Sequence, residues 1–257
     1  MRGVKVMVKL EELTWREVAE LDRRRCVVVV PVGSFEQHGF HLPLITDTAI
    51  PYRISLLASE RSRNVKLIVV PPITYGCSEH YMKFDGTITV TPDTLRSLVR
   101  DVCLSLIHHG FKKLIVLNGH GGNYAALQIA IRDVRKKYSD AVIALVNWWD
   151  LVADVIRRVR ESSVMHHADE IETSVSLALG LRVLMAEARD YIPKPFSDYY
   201  TLDIVSPPPK LMVYGWLKRG DVGVIGEASK ASREKGEVIV GALVFRLIDL
   251  AERLASI

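Results

Sequence analysis

Residues 26–32, CVVVVPV, run straight into residues 33–47, GSFEQHGFHLPLITD, and this junction decides the fold. An apolar run without a polar break reads as a strand buried on both faces, the pattern of a parallel sheet. Binding sites in such sheets lie at the carboxyl ends of the strands. Glu36 and His38 are two residues apart, so on an extended chain they project to the same side. Asp47 follows nine residues after His38, close enough in the chain to join them. A carboxylate, an imidazole and a second carboxylate converging at a strand end suit a divalent cation. That chemistry points to an enzyme, and to hydrolysis.

Outward from this junction, strands and helices alternate. Thr14 caps a short helix over 15–24 that leads into the strand. A helix over 48–62 follows, with Asp47 or Thr48 as its cap. A strand over 66–71 comes next, then a loop from 72 to about 86 and a short alternating strand, GTITV, at 86–90. Thr91-Pro92-Asp93 opens a helix to His109, with proline where a first turn tolerates it, and Gly110 ends it. KKLIVL at 112–117 is a further buried strand. Gly119–Asn123 turns into a helix over 124–138, and a strand at 141–146 and a helix over 149–160 follow. A helix then begins near His167 and runs to Leu179-Gly180. Residues 190–225 are rich in proline and glycine, with Pro207-Pro208-Pro209 as a rigid extended piece, and a last helix covers 227–256. The expected fold is α/β, a doubly wound and mainly parallel sheet with helices on both faces, in one domain over 1–257.

Composition narrows the function classes. The hydrophobic fraction of 49% and charged fraction of 25% are those of an ordinary globular protein. The net charge of +4 is spread along the chain. Arg23-Arg24-Arg25 and Arg157-Arg158 fall at ends of helical patterns and read as solvated termini, not as a nucleic-acid surface. No apolar run approaches 18 residues, so no membrane span is expected. The N-terminus lacks the pattern of a signal peptide, and Cys26, Cys77 and Cys103 have no ligand spacing and read as core residues. A cytoplasmic location is the expectation. The chain holds only two Gln and four Asn, a scarcity like that of heat-adapted proteins. Gln37, Asn118 and Asn123 are three of those six, and all lie in the motifs that carry the chemistry.

Asn118-Gly119-His120-Gly121-Gly122-Asn123 follows a strand and opens a helix. Its glycines would permit positive φ and a sharp bend that presents His120 at the tip. A plain tight turn and an anion cradle at the helix start stay open as readings. In His166-His167-Ala168-Asp169-Glu170-Ile171-Glu172-Thr173-Ser174, imidazoles and carboxylates crowd the start of a helix, where acidic residues also serve the helix dipole. Helical spacing puts His167 beside Glu170 and Ile171, with Glu172 further round, so only one or two of these carboxylates can reach a site. Gly76-Cys77-Ser78-Glu79-His80, ahead of Phe84-Asp85-Gly86-Thr87, reads either as a surface connection or as a wall facing substrate, with Ser78 and His80 as its contacts. Trp148 and Trp149 follow a strand, where they either pack in the core or stack on a flat heterocycle.

These motifs, in this order over roughly residues 26–180, resemble the creatininase (creatinine amidohydrolase) family. Ala231-Ser232-Arg233-Glu234-Lys235-Gly236 also looks like a family segment. The resemblance implies a doubly wound α/β fold with two divalent ions per subunit, Zn, Mn or Fe, at the carboxyl edge of the sheet. Glu36 and His120 match ligands of one ion, His38 matches a ligand of the other, and Asp47 matches the bridging carboxylate. His167 matches a catalytic histidine, with Glu170 as an adjacent carboxylate able to share its proton transfer. Creatininase itself is similar to a His-x-Glu pattern after the Asn-Gly. Gly122 occupies that glutamate's place, so Glu172, or else Glu170 or water, completes the second ion's site. Asn123 is a candidate substrate contact, and Asp85 stands where the family often has proline.

Members with His-Gly-Gly-Asn resemble archaeal deformylases acting on a formylaminopyrimidine ribonucleotide in flavin and deazaflavin biosynthesis. The function expected is therefore metal-dependent hydrolysis of a non-peptide amide or formamide bond in a small heterocyclic substrate. Creatinine hydrolysis and a peptidase role are the alternatives, with a non-enzymatic metal-binding assembly protein and nucleotide binding without hydrolysis behind them. Family members are typically homo-oligomers, often hexamers.

Overall fold

The structure is a computed structural model and describes residues 8–194, 197, 200–206 and 220–257. The sequence's central strand, β2 (Cys26–Val32), is buried along its whole length. It pairs in parallel with β3 (Lys66–Val69) on one side and β4 (Lys113–Asn118) on the other. With β1 (Val8–Lys9) and β5 (Val142–Asn147) the order is β1-β3-β2-β4-β5, parallel throughout. The chain moves from β2 outward to β3 and then crosses back to β4, so the winding reverses between β2 and β4.

Alternation along β2 splits the core in two. Val27 and Val29, with Leu67, Ile115 and Leu117, pack under α2 (Thr46–Arg61), α5 (Ala153–Val159) and α7 (Arg233–Ala255). Val28 and Val30, with Ile68, Leu114 and Val116, pack under α3 (Pro92–His108) and α4 (Tyr124–Lys137). Each fully buried valine contributes about 1.5–3 kcal/mol, so the register of β2 is strongly specified. The short α1 (Trp15–Ala19) precedes it, held by a reciprocal Thr14–Glu17 capping box. Thr91 caps α3 as its sequence indicated. Cys26, Cys77 and Cys103 are buried free thiols.

Several elements differ from their expected form. The helix expected at 48–62 begins at Thr46, Ile45 precedes it without a side-chain cap, and Asp47 lies inside the first turn. GTITV forms no strand; only Ile88 makes a bridge, to Phe35. Past β5 the chain takes a 3-10 turn at Asp150–Val152 before α5. His166 and His167 are not helical. They lie in β6 (Met165–His167), which pairs antiparallel with β8 (Ile225–Glu227), itself paired to β7 (Asp190–Tyr191). Ala168 then turns with φ +48°, and Asp169 caps α6 (Glu170–Ala178) through the Ile171 and Glu172 amides. A three-residue strand whose partner lies far along the chain leaves no local period to read. Pro207-Pro208-Pro209 lies outside the described residues.

The segment Ala231–Gly236 fastens α7 to α6. Ser232 caps α7. Lys235 reaches the buried Glu170 carboxylate at 2.5 Å. A Cβ at Gly236 would sit 1.9 Å from the Ser174 carbonyl oxygen, so only glycine permits this close packing of the two helices.

Candidate metal centre

The site forms where the winding reverses. Val32 and Asn118, the last residues of β2 and β4, are register partners. Asn118 latches the turn that follows: its Nδ2 donates to the His120 carbonyl at 2.6 Å and to Asn147 Oδ1 at 2.9 Å. Gly119 brings this turn against α2, because a Cβ there would fall 1.9 Å from the Asp47 carbonyl oxygen. Pro51 takes away the amide that would otherwise bind this carbonyl in the helix. None of the glycines 119, 121 and 122 has positive φ. Gly119 and Gly122 serve close approach, not the sharp positive-φ bend expected of them.

Asp47 divides its carboxylate between two imidazoles. Oδ1 lies 2.9 Å from His38 Nε2, and Oδ2 lies 3.0 Å from His120 Nδ1. Glu36 Oε1 stands on the His120 side at 3.3 Å from Nδ1, and Glu172 Oε2 on the His38 side at 3.9 Å from Nε2. The second nitrogen of each ring faces a backbone carbonyl: His38 Nδ1 faces Glu36 O at 3.1 Å, and His120 Nε2 faces Cys77 O at 3.0 Å. Such backbone partners fix ring orientation and tautomer, aiming the inner nitrogen at the carboxylates. His167 Nε2 faces the Gln37 carbonyl at 3.0 Å, and its Nδ1 lies 3.7 Å from Glu36 Oε1. The His167 ring stacks on Tyr81 and sits 4.4 Å from the His38 ring.

Burial sets the protonation. Removal from water pushes the Glu36 carboxyl up to about 7, and nearby Asp47 adds to this against the pull of His120 and His38. Burial also drives Glu172 well above the carboxylate range. His38 and His120 resist their own burial because Asp47 and Glu36 favour the cation, and they rise to about 10 and about 9. Asp47 goes the other way. Burial alone would raise it, but the His38 and His120 imidazoles hold it far below its usual range.

Two buried oxygens in this cluster, Glu36 Oε1 and Asp47 Oδ2, have imidazole nitrogens at ion-pair distance but no well-aligned hydrogen bond of their own. Orphaned buried oxygens are rare in folded proteins and call for an ion or water. Glu36, His38 and Asp47 are at most 2% exposed, and three overlapping groups of donor atoms converge: Glu36–His38–His167, Glu36–His80–His120 and His38–Asp47–Glu172. The donor set of imidazoles and carboxylates fits divalent transition metals.

A family model for creatininase, described as creatinine amidohydrolase, matches residues 11–251. The chain belongs to the creatininase family. It is 29% identical to the creatinine amidohydrolase of Pseudomonas putida over 93% of this chain and 94% of that protein. It is 30% identical to a 3-dehydro-scyllo-inosose hydrolase of Thermotoga maritima over 96% and 82%. A crystal structure of a putative creatinine amidohydrolase from Bacteroides fragilis superposes with TM-score 0.82 at 32% identity, covering 98% and 97%. Mycofactocin precursor peptide peptidases are also relatives, at 29% identity, and creatininase structures at 28% identity include a Zn–Zn form and a Mn form. Among the described residues no helix is long and apolar enough to cross a membrane.

Not every creatininase-family position expected at the site reaches it. Glu170 is turned away: its oxygens accept the Glu161 and Ser162 amides and Lys235 Nζ. Asn123 is spent on structure, bonding the Cys77 amide, the Gly33 carbonyl and Asn118 Oδ1. Trp148 and Trp149 are buried in the core under α7, edge to face with one another, at 0% and 7% exposed. Ser78 lies beneath the cluster, its hydroxyl donating to Glu36 Oε2 and sharing a hydrogen bond with Ser34. His80 does border the site, half-buried and stacked beside His120. Tyr81 and Asp169 were missed. An Asp ahead of an acidic, apolar-periodic run is a cap signal that could have found Asp169; Tyr81 carries no such mark.

Proposed function

We propose that this chain is a metal-dependent amidohydrolase that cleaves a small, non-peptide amide, with a formylaminopyrimidine ribonucleotide as its substrate. The observation that carries the catalytic reading is the split carboxylate of Asp47, which gives one oxygen to the Glu36–His120 side and one to the His38–Glu172 side. Glu36 and His120 would hold one ion, His38 and Glu172 a second, and Asp47 would serve both. A pair of divalent ions so held supplies Lewis-acid polarisation of a carbonyl and activation of water.

The chain's own groups do the remaining work. Backbone carbonyls of Glu36 and Cys77 keep the inner nitrogens of His38 and His120 pointed at the carboxylates. Ser78 steadies Glu36 from behind. Gln37 occupies Nε2 of His167 with its carbonyl and side-chain amide, so Nδ1, on the Glu36 side, is the atom that takes a proton from the attacking water and passes it to the departing amine. Water adds across the C–N bond, and the products are formate and an amine. Mild net basicity, +4, favours a phosphate-bearing substrate, and Gly122 in place of a glutamate speaks against creatinine.

The test is purification without oxygen, metal analysis, and assay against a formylated aminopyrimidine nucleotide, creatinine and short peptides. Formate release that stops on chelation while the fold persists is the expected result. Creatine formation, peptide cleavage, or no formate with any metal overturns the substrate assignment.

A further inference from the structure

Residue 122 cannot lend a side chain to the site. A Cβ there would lie 2.4 Å from the Cys77 carbonyl oxygen and 2.6 Å from His120 Nε2. The two sides of the candidate centre are therefore unequal in what else surrounds them. The His38 side has Glu172 and one oxygen of Asp47. On the opposite side stand Glu36, His120 and the other Asp47 oxygen, and also a second imidazole, apart from the His167 that shares Glu36 and His38.

His80 offers a ring nitrogen within 4.8 Å of donor atoms on both Glu36 and His120. Its ring lies parallel to that of His120, with planes 9° apart and centroids 5.6 Å apart. The turn that carries it is pinned. The Tyr81 amide bonds the Ser78 carbonyl at 2.9 Å, the Ser78 amide bonds Thr89 Oγ1 at 2.8 Å, and the Ser78 hydroxyl bonds Glu36 itself. The turn and the Glu36 carboxylate are thus tied directly together. His80 is also half-buried where the other members of the cluster are buried, so it stands on the solvent side.

We propose that His80 is a ligand of the ion on the Glu36–His120 side and that it makes this position select Zn or Fe over Mn. The selectivity follows from ligand type, because imidazole suits Zn and Fe whereas carboxylate and water suit Mn. This rests on the binuclear reading above, and it moves His80 from the substrate's wall to the metal's coordination.

The experiment is titration of metal-free protein with Zn, Co and Mn by calorimetry, together with visible spectra of the Co form, for wild type, His80→Ala and His80→Glu. Wild type binds two ions. His80→Ala weakens one of them by at least about 100-fold, above the range of an outer-sphere loss, and alters the Co spectrum. His80→Glu restores the second ion and shifts its preference toward Mn. His80→Asn serves the same comparison if the alanine variant folds poorly. Two ions bound by His80→Ala with wild-type affinity, an unchanged Co spectrum and only a raised KM would overturn the proposal and return His80 to the substrate. A wild type that binds no divalent ion would instead bring down the metal reading, and this assignment with it.

Discussion

Lys235→Met tests whether Glu170 is structural or catalytic. Glu170 has no exposed surface. Its carboxylate rests on three donors: Lys235 Nζ at 2.5 Å, the Ser162 amide at 2.6 Å and the Glu161 amide at 3.0 Å. Removing one member of a buried ion pair costs about 3–5 kcal/mol, because the remaining charge is left uncompensated. The two amides retain part of that compensation, so the expected loss is about 3 kcal/mol, the low end of that range. For a chain of this size each kcal/mol moves Tm by about 2–4 °C, so Lys235→Met should melt about 6–12 °C lower. Glu170→Gln should cost less, about 1–2 kcal/mol, because Lys235 keeps the Glu161 carboxylate at 2.6 Å and the Lys230 carbonyl at 2.8 Å. The double variant should fall well short of the sum. Burial alone would raise the Glu170 pKa, but Lys235 and the Ser162 and Glu161 donors hold it below 4.5. This stabilisation is therefore present above pH 4.5 and fades as pH falls through the lowered value, so the gap between wild type and Lys235→Met should close in acid. Thermal melts, metal affinity and kcat at 25 °C are the readouts. Normal melting of Lys235→Met would refute the energetic argument. Glu170→Gln that folds normally but turns over 100-fold more slowly would refute the structural assignment and make Glu170 the proton-transfer group.

Gly119→Ala drives a Cβ against a backbone oxygen that cannot step aside. It should cost at least about 2 kcal/mol and weaken metal binding by shifting Asp47, which paired melts and calorimetry would check. Asn123→Ala strips partners from the buried Cys77 amide and Gly33 carbonyl, an expected loss of about 2–4 kcal/mol, with kcat of the folded protein retained if Asn123 does not touch substrate. In metal-free protein the raised pKa values of His38, about 10, and His120, about 9, stabilise the fold fully below pH 6.5, and this is lost as pH rises through 9–10. Chelated protein should therefore melt lower at pH 10 than at pH 7, while metal affinity strengthens with pH because the cation displaces protons from both rings. Titration at pH 7 in buffers of different ionisation enthalpy should report at least about two protons released per fully loaded site, the raised Glu36 and Glu172 carboxyls adding to the two rings; none released would contradict the protonated rings.

The sheet was legible because its central strands, β2 and β4, are buried on both faces: an apolar run such as 26–32 has little else it can be in a chain this size. The convergence of Glu36, His38, Asp47 and His120 was legible for a related reason. Period two at a strand end and the carboxyl-edge rule are local facts with a fixed spatial meaning. What escaped the sequence depends on partners far along the chain. Trp148 was placed correctly at the sheet edge, yet its amide turns back to the Asn118 carbonyl and its ring drops beneath α7. Gly119 and Gly122 looked like bend-formers, and only the nearness of Asp47 O and Cys77 O gives their reason. Glu170 and Glu172 are the sharpest case. Two residues apart on a helix, they point about 200° apart, so at most one can enter the site, and local spacing cannot say which. Two distant constraints decide it. Lys235 holds Glu170 on the buried side of α6 away from His38, and the corner at Ala168, whose amide donates to Glu172 Oε2 at 2.6 Å, aims Glu172 back at His38. The Lys235 segment thus explains itself as the element that sets which of the two carboxylates faces the candidate centre.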